Sequence, residues 1–271
     1  MVPLKQHVSC VWCACGLALA LGASTARSQV CDLATDWSVA ANPNGAWSYH
    51  NGDGALPFQP CYTAIGSPCQ PAWALVPSGY NHIPVWFKAV GSYNLDWLPG
   101  DVVTHSADQA RGNSRVSNVK WTCPASGFVD ITGAIWLARQ IGRSNTCALA
   151  LNSDIIANGL VYTGDGHPRA DPWPLVSGAA SPVALTGLPV AAGDVIGLYV
   201  AQAPGSAFGD FTGVNLPITF VAAACPADFN QDGGIDGGDV QYQGKPQTAR
   251  DFCSEMPNRS KKGRSCVVGE R

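Results

Sequence analysis

Oxygen-bearing side chains recur at close intervals in residues 228–239 of this 271-residue sequence. The segment reads DFNQDGGIDGGD, and glycine occupies its sixth position. Ca²⁺ takes about six to eight oxygen ligands, and this spacing resembles that of the loops that wrap it. The predicted ligands are Asp228, Asn230, Asp232, Asp236 and Asp239 through their side chains and Gly234 through its carbonyl group. The sequence therefore predicts a calcium site, the alternative being an acidic, glycine-rich linker that stays solvated.

Catalytic side chains do not group in this way elsewhere in the sequence. A glycosidase needs two carboxyl groups at a set separation, and the aspartates of residues 96–210 are scattered. G-x-S-x-G, HExxH and Walker motifs are missing from the sequence. The polar stretch 163–171 could line a site or form an ordinary loop. We therefore expect no enzyme, and a polysaccharide-active enzyme is the least favoured class.

Aromatic residues are more informative than the acidic ones in the body of the chain. The sequence contains nine tryptophans. Five aromatic side chains fall in segments rich in proline and glycine and could stack on sugar rings: Trp47, Tyr49, Trp73, Trp86 and Trp173. The alternative is core packing, since tryptophan is highly buried on average. These five residues are the candidates for a glycan-binding surface, with core packing as the competing interpretation.

Composition limits the architecture that can hold these groups. Hydrophobic residues make up 46% of the chain and charged residues only 13%, with 30 glycines and 20 prolines. Charge is well below the share of roughly 25% that soluble domains carry. This composition excludes a coiled coil, a disordered polyelectrolyte and a basic nucleic-acid binder. It favours a turn-rich, all-β domain.

Residues 1–28 have the features of an export signal. Lys5 and His7 form a polar start, residues 8–21 are apolar, and small residues follow. Cleavage is expected after Ala26 or Ser28, and a retained anchor is the alternative. No later segment reaches the roughly 20 apolar residues of a transmembrane helix. We expect a secreted or surface-displayed protein without a transmembrane anchor.

Cysteine content agrees with export, because eight of the 11 cysteines remain after the signal. An even number in an exported chain favours disulfides. Three pairs are proposed: Cys61 with Cys69 across one loop, Cys123 with Cys147 between strands, and Cys31 with Cys225 at the ends of the domain. Zinc binding by the cysteines is the competing interpretation, but the sequence lacks the paired CxxC or HxxxH spacing of zinc sites.

Short strand-like segments recur between turn signals in the middle of the chain. Residues 128–137 place Val129, Ile131, Ile135 and Leu137 on one face, as in a sandwich strand. The other predicted strands are 118–123, 147–151, 155–162, 182–190, 195–200 and 218–221. Residues 152–154 predict a turn, and residues 191–194 a hairpin. This pattern predicts an antiparallel β-sandwich.

Three strings within these segments carry a family resemblance. They are WSVAANPNGAWSYHNG (residues 37–52), VKWTCPASGFVDITG (119–133) and VAAGDVIGLYV (190–200). Their order resembles a bacterial exported jelly-roll domain of the kind found in proteins with PEP-CTERM tails or dockerin repeats. The resemblance covers residues 32–221 and implies a jelly-roll-like sandwich without established catalytic residues.

The calcium segment resembles one repeat of a type I dockerin, which is similar to an EF-hand loop. In that resemblance the twelfth position is Asp239, where EF-hands favour glutamate. A working dockerin has two such repeats followed by helices, and Gly244 and Pro246 interrupt a helix here. We therefore do not expect docking to a cohesin.

The last part of the chain differs in charge from the rest. Residues 242–271 hold seven of the 16 basic residues against three acidic ones. A disordered basic extension, a shifted reading frame and a polyanion-binding tail all remain open. The predicted organisation is a signal (1–28), a sandwich (31–224), a dockerin-like calcium loop (225–243) and a basic tail (244–271). The predicted function is a non-enzymatic binding module for extracellular polysaccharide, and the alternative is a structural or adhesive surface protein.

Overall fold

The computed structural model describes residues 28–64, 68–77, 84–92, 95–108, 116–181 and 184–223. Within these ranges the regular structure is β-strand, apart from one 3₁₀ turn, Leu175–Gly178. The strands are β1 (Ser28–Asp32), β2 (Trp47–Asn51), β3 (Gly54–Ala55), β4 (Phe58–Tyr62), β5 (Gln70–Ala74), β6 (Val85–Lys88), β7 (Val102–His105), β8 (Ser117–Thr122), β9 (Gly127–Ile131), β10 (Ala134–Leu137), β11 (Ser144–Leu151), β12 (Asp154–Tyr162), β13 (Trp173–Pro174), β14 (Leu188–Val190), β15 (Val195–Gln202), β16 (Phe211–Asn215) and β17 (Pro217–Ala222). The all-β prediction is confirmed.

The strands form three antiparallel sheets. The six-stranded sheet has the order β12-β11-β15-β8-β2-β3, and the seven-stranded sheet has the order β13-β10-β16-β7-β6-β5-β4. A four-stranded sheet, β1-β17-β9-β14, joins the first described strand to the last. Each pairing within the sheets is antiparallel.

One main hydrophobic core draws on all three sheets. Trp121 and Leu198 enter it from the six-stranded sheet, Trp86 and Val102 from the seven-stranded sheet, and Ile218 from the four-stranded sheet. Because side chains alternate along a strand, each sheet gives one face to this core. The sheets therefore stack as a β-sandwich.

A second, smaller core lies on the opposite face of the seven-stranded sheet. Val85, Phe87 and Val103 alternate with the residues that enter the main core. Trp97, from the loop between β6 and β7, packs edge-on against Phe87 and Phe211. The seven-stranded sheet is thus covered on both faces, which leaves the six-stranded sheet as the larger surface available for binding.

The predicted strand 128–137 is two strands in different sheets, so its prediction as one element is wrong. β9 belongs to the four-stranded sheet and β10 to the seven-stranded sheet. The chain crosses at Gly133, whose φ is +149° and whose hydrogen faces the Asn215 carbonyl oxygen too closely for a Cβ. Only glycine allows this approach without strain.

The predicted hairpin at residues 191–194 is also wrong, although the turn exists. The backbone N–H of Asp194 donates to the Ala191 carbonyl, and the Asp194 carboxylate accepts from the Ala191 N–H. The strands that it connects do not pair, because β14 joins β9 while β15 joins β11 and β8. The turn carries the chain from one sheet to another.

Candidate functional site

The predicted calcium ligands, Asp228 to Asp239, lie outside the described residues, so calcium binding stays a prediction. The same holds for the whole dockerin-like segment 225–243 and for the tail. Within the part of the chain that the structure describes, no three His, Cys, Asp or Glu side chains form a group that could hold a metal ion.

Four of the five aromatic residues predicted to stack on sugars are in the core. Their exposed fractions are 2% for Trp47, 0% for Tyr49, 3% for Trp73 and 0% for Trp86. The glycine- and proline-rich segments around them form short strands rather than open loops. A sugar cannot stack on a ring that has no exposed face, so the binding role predicted for these four residues is wrong.

The fifth, Trp173, is half-buried and acts in packing. Its indole lies against the backbone of Gly159 in β12 and near Gly178 in the 3₁₀ turn, where neither glycine has room for a Cβ. The ring fills the space between the edge strand and the turn, so it supports the sandwich rather than forming an open platform.

Among the described residues, the cysteines form one disulfide and three buried thiols. Cys61 and Cys69 form the predicted disulfide, with Cα atoms 4.9 Å apart. Cys123 and Cys147 are separate thiols, so their predicted pairing is wrong. The physical reason is sheet order: β15 lies between β8 and β11, and two strand spacings of about 4.8 Å exceed the reach of a disulfide. The partner predicted for Cys31, Cys225, is outside the described residues.

The polar loop 163–171 serves the structure. The Arg169 guanidinium donates two hydrogen bonds to the Asp101 carboxylate, at 2.5 and 2.8 Å, and the Arg169 N–H donates to Asp96. Asp165 accepts from the N–H groups of Tyr162 and His167. These carboxylates are therefore bound to the loop itself, which favours the ordinary-loop alternative.

A groove of about 510 Å³ lies on the outer face of the six-stranded sheet. Its walls come from β11, β12 and β15, and the two-residue turn Asn152–Ser153 contributes to its lining. None of the lining residues is charged. The volume is within the range of about 300–1,000 Å³ that small-molecule sites occupy. A second depression, beside Trp37 and Lys88, measures about 230 Å³ and is below that range.

The floor of this groove is made of small side chains. Leu149 and Leu198 point into the core, so their neighbours Ala148 and Tyr199 point outward on adjacent strands. In the pairing of β11 with β15, Ala148 lies opposite Tyr199, and Ala150 lies opposite Gly197. A ligand can therefore come close to the sheet surface between larger residues.

Tyr199 is the aromatic residue of the groove, and its ring lies over Gly197. A Cβ atom at Gly197 would be 2.7 Å from the Tyr199 Cε2 atom and 2.9 Å from its hydroxyl oxygen. The ring can rest on the sheet only because position 197 has no side chain. Tyr199 is half-buried and lines the groove.

The turn Asn152–Ser153 fixes the chain where β11 passes into β12. Asn152 has a φ of +57°, which asparagine tolerates in tight hairpins. Its side chain accepts a hydrogen bond from the Val195 N–H at 2.9 Å and donates to the Asp194 carboxylate at 3.2 Å. The predicted turn at 152–154 is confirmed, and it ties the rim of the groove to β15.

One buried acid stands apart from the groove. Asp210 has no solvent exposure, and burial raises its pKa to about 7. Its Oδ2 atom has no hydrogen-bond partner, while Oδ1 accepts from the Phe211 N–H. Because no solvent reaches this carboxyl group, it lacks access to a substrate.

No family model and no curated protein matches this chain. In the described residues, helices of the length and hydrophobicity needed to cross a bilayer are not found.

Proposed function

We propose that this chain is an exported, non-enzymatic binding module for extracellular glycans, followed by a dockerin-like loop that binds calcium. The observation that carries the glycan proposal is the uncharged groove on the exposed face of the six-stranded sheet. Among the described residues, the seven-stranded sheet is covered on both faces, and the six-stranded sheet is the larger of the two sheets that keep an open face. The resemblance to exported jelly-roll domains supports export and the lack of catalysis.

The proposed lack of catalysis rests on the positions and hydrogen-bond partners of the carboxylates. General acid–base chemistry on a glycosidic bond needs two carboxyl groups facing the same substrate. Asp96 and Asp101 are instead held by Arg169, and the groove lining contains no acidic residue. The groove is therefore suited to holding a ligand rather than to transforming it.

The proposed signal cleavage fits best after Ala26. β1 begins at Ser28, which pairs with Val221 of β17. Cleavage after Ala26 leaves all of β1 in the mature chain, whereas cleavage after Ser28 removes the first residue of that pairing. Sequencing of the mature N-terminus from the exporting cell distinguishes the two positions.

Affinity electrophoresis tests the glycan proposal. The mature chain is run through gels that contain dextran, hydroxyethyl cellulose, galactomannan or polygalacturonate, with a non-binding protein as the reference. We expect retardation by at least one of these polysaccharides. Migration unchanged in every gel contradicts the proposal, and self-association in sedimentation would then favour the structural or adhesive alternative. Release of reducing ends would show an enzyme instead.

A further inference from the structure

We infer that the groove binds a neutral polysaccharide, and that the ring of Tyr199 is the platform on which one sugar stacks. This inference rests on the proposed function and names the class of ligand and the residue on which a sugar stacks.

The position of Tyr199 suits it to stacking. The ring lies over Gly197, so the backbone supports it from below. Tyrosine combines a flat apolar ring with one polar hydroxyl group, which matches a sugar ring with its C–H faces and hydroxyl edges. Because the platform is already in place, little side-chain entropy is lost when a ligand binds.

The small floor lets a sugar reach that platform. Ala148 is directly across from Tyr199, and Ala201 lies two residues further along β15. Methyl groups leave space above the sheet, and they offer apolar surface to the C–H groups of a sugar. Thr146 and Asn158, also in the lining, provide a hydroxyl and an amide that can exchange hydrogen bonds with sugar hydroxyls.

The charge of the lining selects a neutral ligand. A carboxylate or sulfate brought into the groove would meet no cation among the lining residues, and an unpaired charge is costly to desolvate. Lys120, opposite Gly197 on β8, is outside this lining. Hydroxyl groups carry no such cost when amides and hydroxyls replace the water. An anionic polysaccharide or a nucleic acid is therefore disfavoured.

A peptide that binds by adding a strand to an exposed sheet edge is disfavoured at β12. The outer edge of β12 is interrupted by a bridge between Ala157 and Ala179, and Gly178 lies against the Asn158 carbonyl. This contact blocks continuous pairing along β12.

Affinity electrophoresis with three variants of the mature chain tests the inference. In gels that contain the neutral polysaccharides, Tyr199→Ala should weaken binding by about tenfold, which corresponds to the loss of one aromatic stacking contact. Tyr199→Phe keeps the ring and should bind within about threefold of the unmodified chain. Gly197→Ala should weaken binding as well, because its Cβ would displace the ring. Thermal melting establishes that each variant is folded.

Phe128→Ala is the matched control, since Phe128 is an aromatic residue with 51% exposure on the four-stranded sheet. It should bind like the unmodified chain. Binding of a neutral glycan that Tyr199→Ala leaves unchanged overturns the inference but not the proposed function. Stronger binding to polygalacturonate than to the neutral polysaccharides overturns the neutral class. If no polysaccharide binds the unmodified chain, the proposed function fails, and this inference fails with it.

Discussion

Asn145 joins two sheets of the sandwich through a buried polar network. Its Nδ2 donates to the Asp210 carbonyl and the Thr212 hydroxyl, both at 2.8 Å, while its Oδ1 accepts from the Ser106 hydroxyl at 2.8 Å. Asn145 belongs to β11 of the six-stranded sheet, whereas Thr212 belongs to β16 of the seven-stranded sheet. Buried polar groups that are satisfied in this way fix the relative position of the layers.

Asp210 should make the stability of the domain depend on pH. Its folded-state pKa of about 7 is above the ordinary value near 3.8, mainly because of burial, with Asp108 adding to the rise and Arg143 opposing it. The folded state keeps the proton after the unfolded state has lost it. Asp210 therefore contributes full stability below about pH 4, and this contribution is lost as pH rises to about 7, by up to about 4 kcal/mol.

Asp210→Asn removes this titration and keeps the oxygen that accepts from Phe211. Urea unfolding at pH 4, 5.5 and 7 should show the variant becoming more stable relative to the unmodified chain as pH rises. His105 acts in the opposite direction, because burial lowers its pKa to about 4, but it is present in both proteins and cancels in the comparison. A difference in unfolding free energy that stays constant over this range would refute the prediction.

Tyr199, the proposed stacking residue, was not among the residues predicted to bind glycans. It lies inside the predicted strand 195–200, whereas the predicted platform consisted of aromatic residues in segments rich in proline and glycine. The available signal was the pair Gly197 and Tyr199, two residues apart and thus on one face of a strand. The buried tryptophans could not be recognised, because burial depends on strands paired from distant parts of the chain.

The edge strand β12 is held in place by the side chain of Trp173 and by the 3₁₀ turn that follows it. Trp173 fits against Gly159 of β12, and the 3₁₀ turn Leu175–Gly178 follows it directly. A nine-residue edge strand with Ile155 63% exposed and Leu160 45% exposed would otherwise invite pairing with another chain. The Trp173 side chain and the 3₁₀ turn together limit pairing of β12 with another chain.

Gly159→Ala should destabilise the domain by about 1–3 kcal/mol, because its Cβ would overlap the Trp173 ring. Chemical unfolding measures this loss. Gly54→Ala is the matched control, since a Cβ there would lie 3.6 Å from the Asn51 carbonyl oxygen, an ordinary contact. Combining Gly159→Ala with Trp173→Ala should cost less than the sum of the two single changes. Strictly additive losses would argue against the overlap.

The sequence predicted the elements well where two neighbouring strands are joined by a short turn. It predicted them poorly where a strand pairs with a strand that is distant in the sequence. The turn at residues 152–154 and the strands on both sides were predicted, because two extended segments separated by Asn152–Ser153 can only form a hairpin. The crossings at Gly133 and Asp194 were missed, since alternation shows which face of a strand is buried but not which sheet it joins. The strands β4–β6 were missed because their segment is rich in proline and glycine and has few long apolar runs.

The proposed glycan and calcium sites should bind their ligands independently of each other. The groove lining holds no acidic residue, and the calcium ligands are predicted at residues 228–239. Calorimetry of the mature chain should show Ca²⁺ binding at about 10⁻⁴–10⁻³ M, as extracellular modules do. The double variant Asp232→Asn and Asp236→Asn should lose this heat and keep glycan retardation.

Asp154→Asn, a change on the exposed edge strand, is the control for that calcium titration. It should leave the heat of Ca²⁺ binding unchanged. The absence of any heat at millimolar Ca²⁺ in the unmodified chain would support the acidic-linker alternative, and loss of glycan binding on addition of a chelator would refute the independence of the two sites.

The pairing of β1 with β17 brings together the two ends of the described domain, with Ser28 opposite Val221. The four-stranded sheet therefore cannot be completed until the chain has been synthesised through residue 222, and contacts of such long range slow folding. A newly made chain should thus remain unfolded for longer, which is compatible with the proposed export. The same neighbouring ends would let a short peptide join them, so new termini could be opened in another loop by circular permutation.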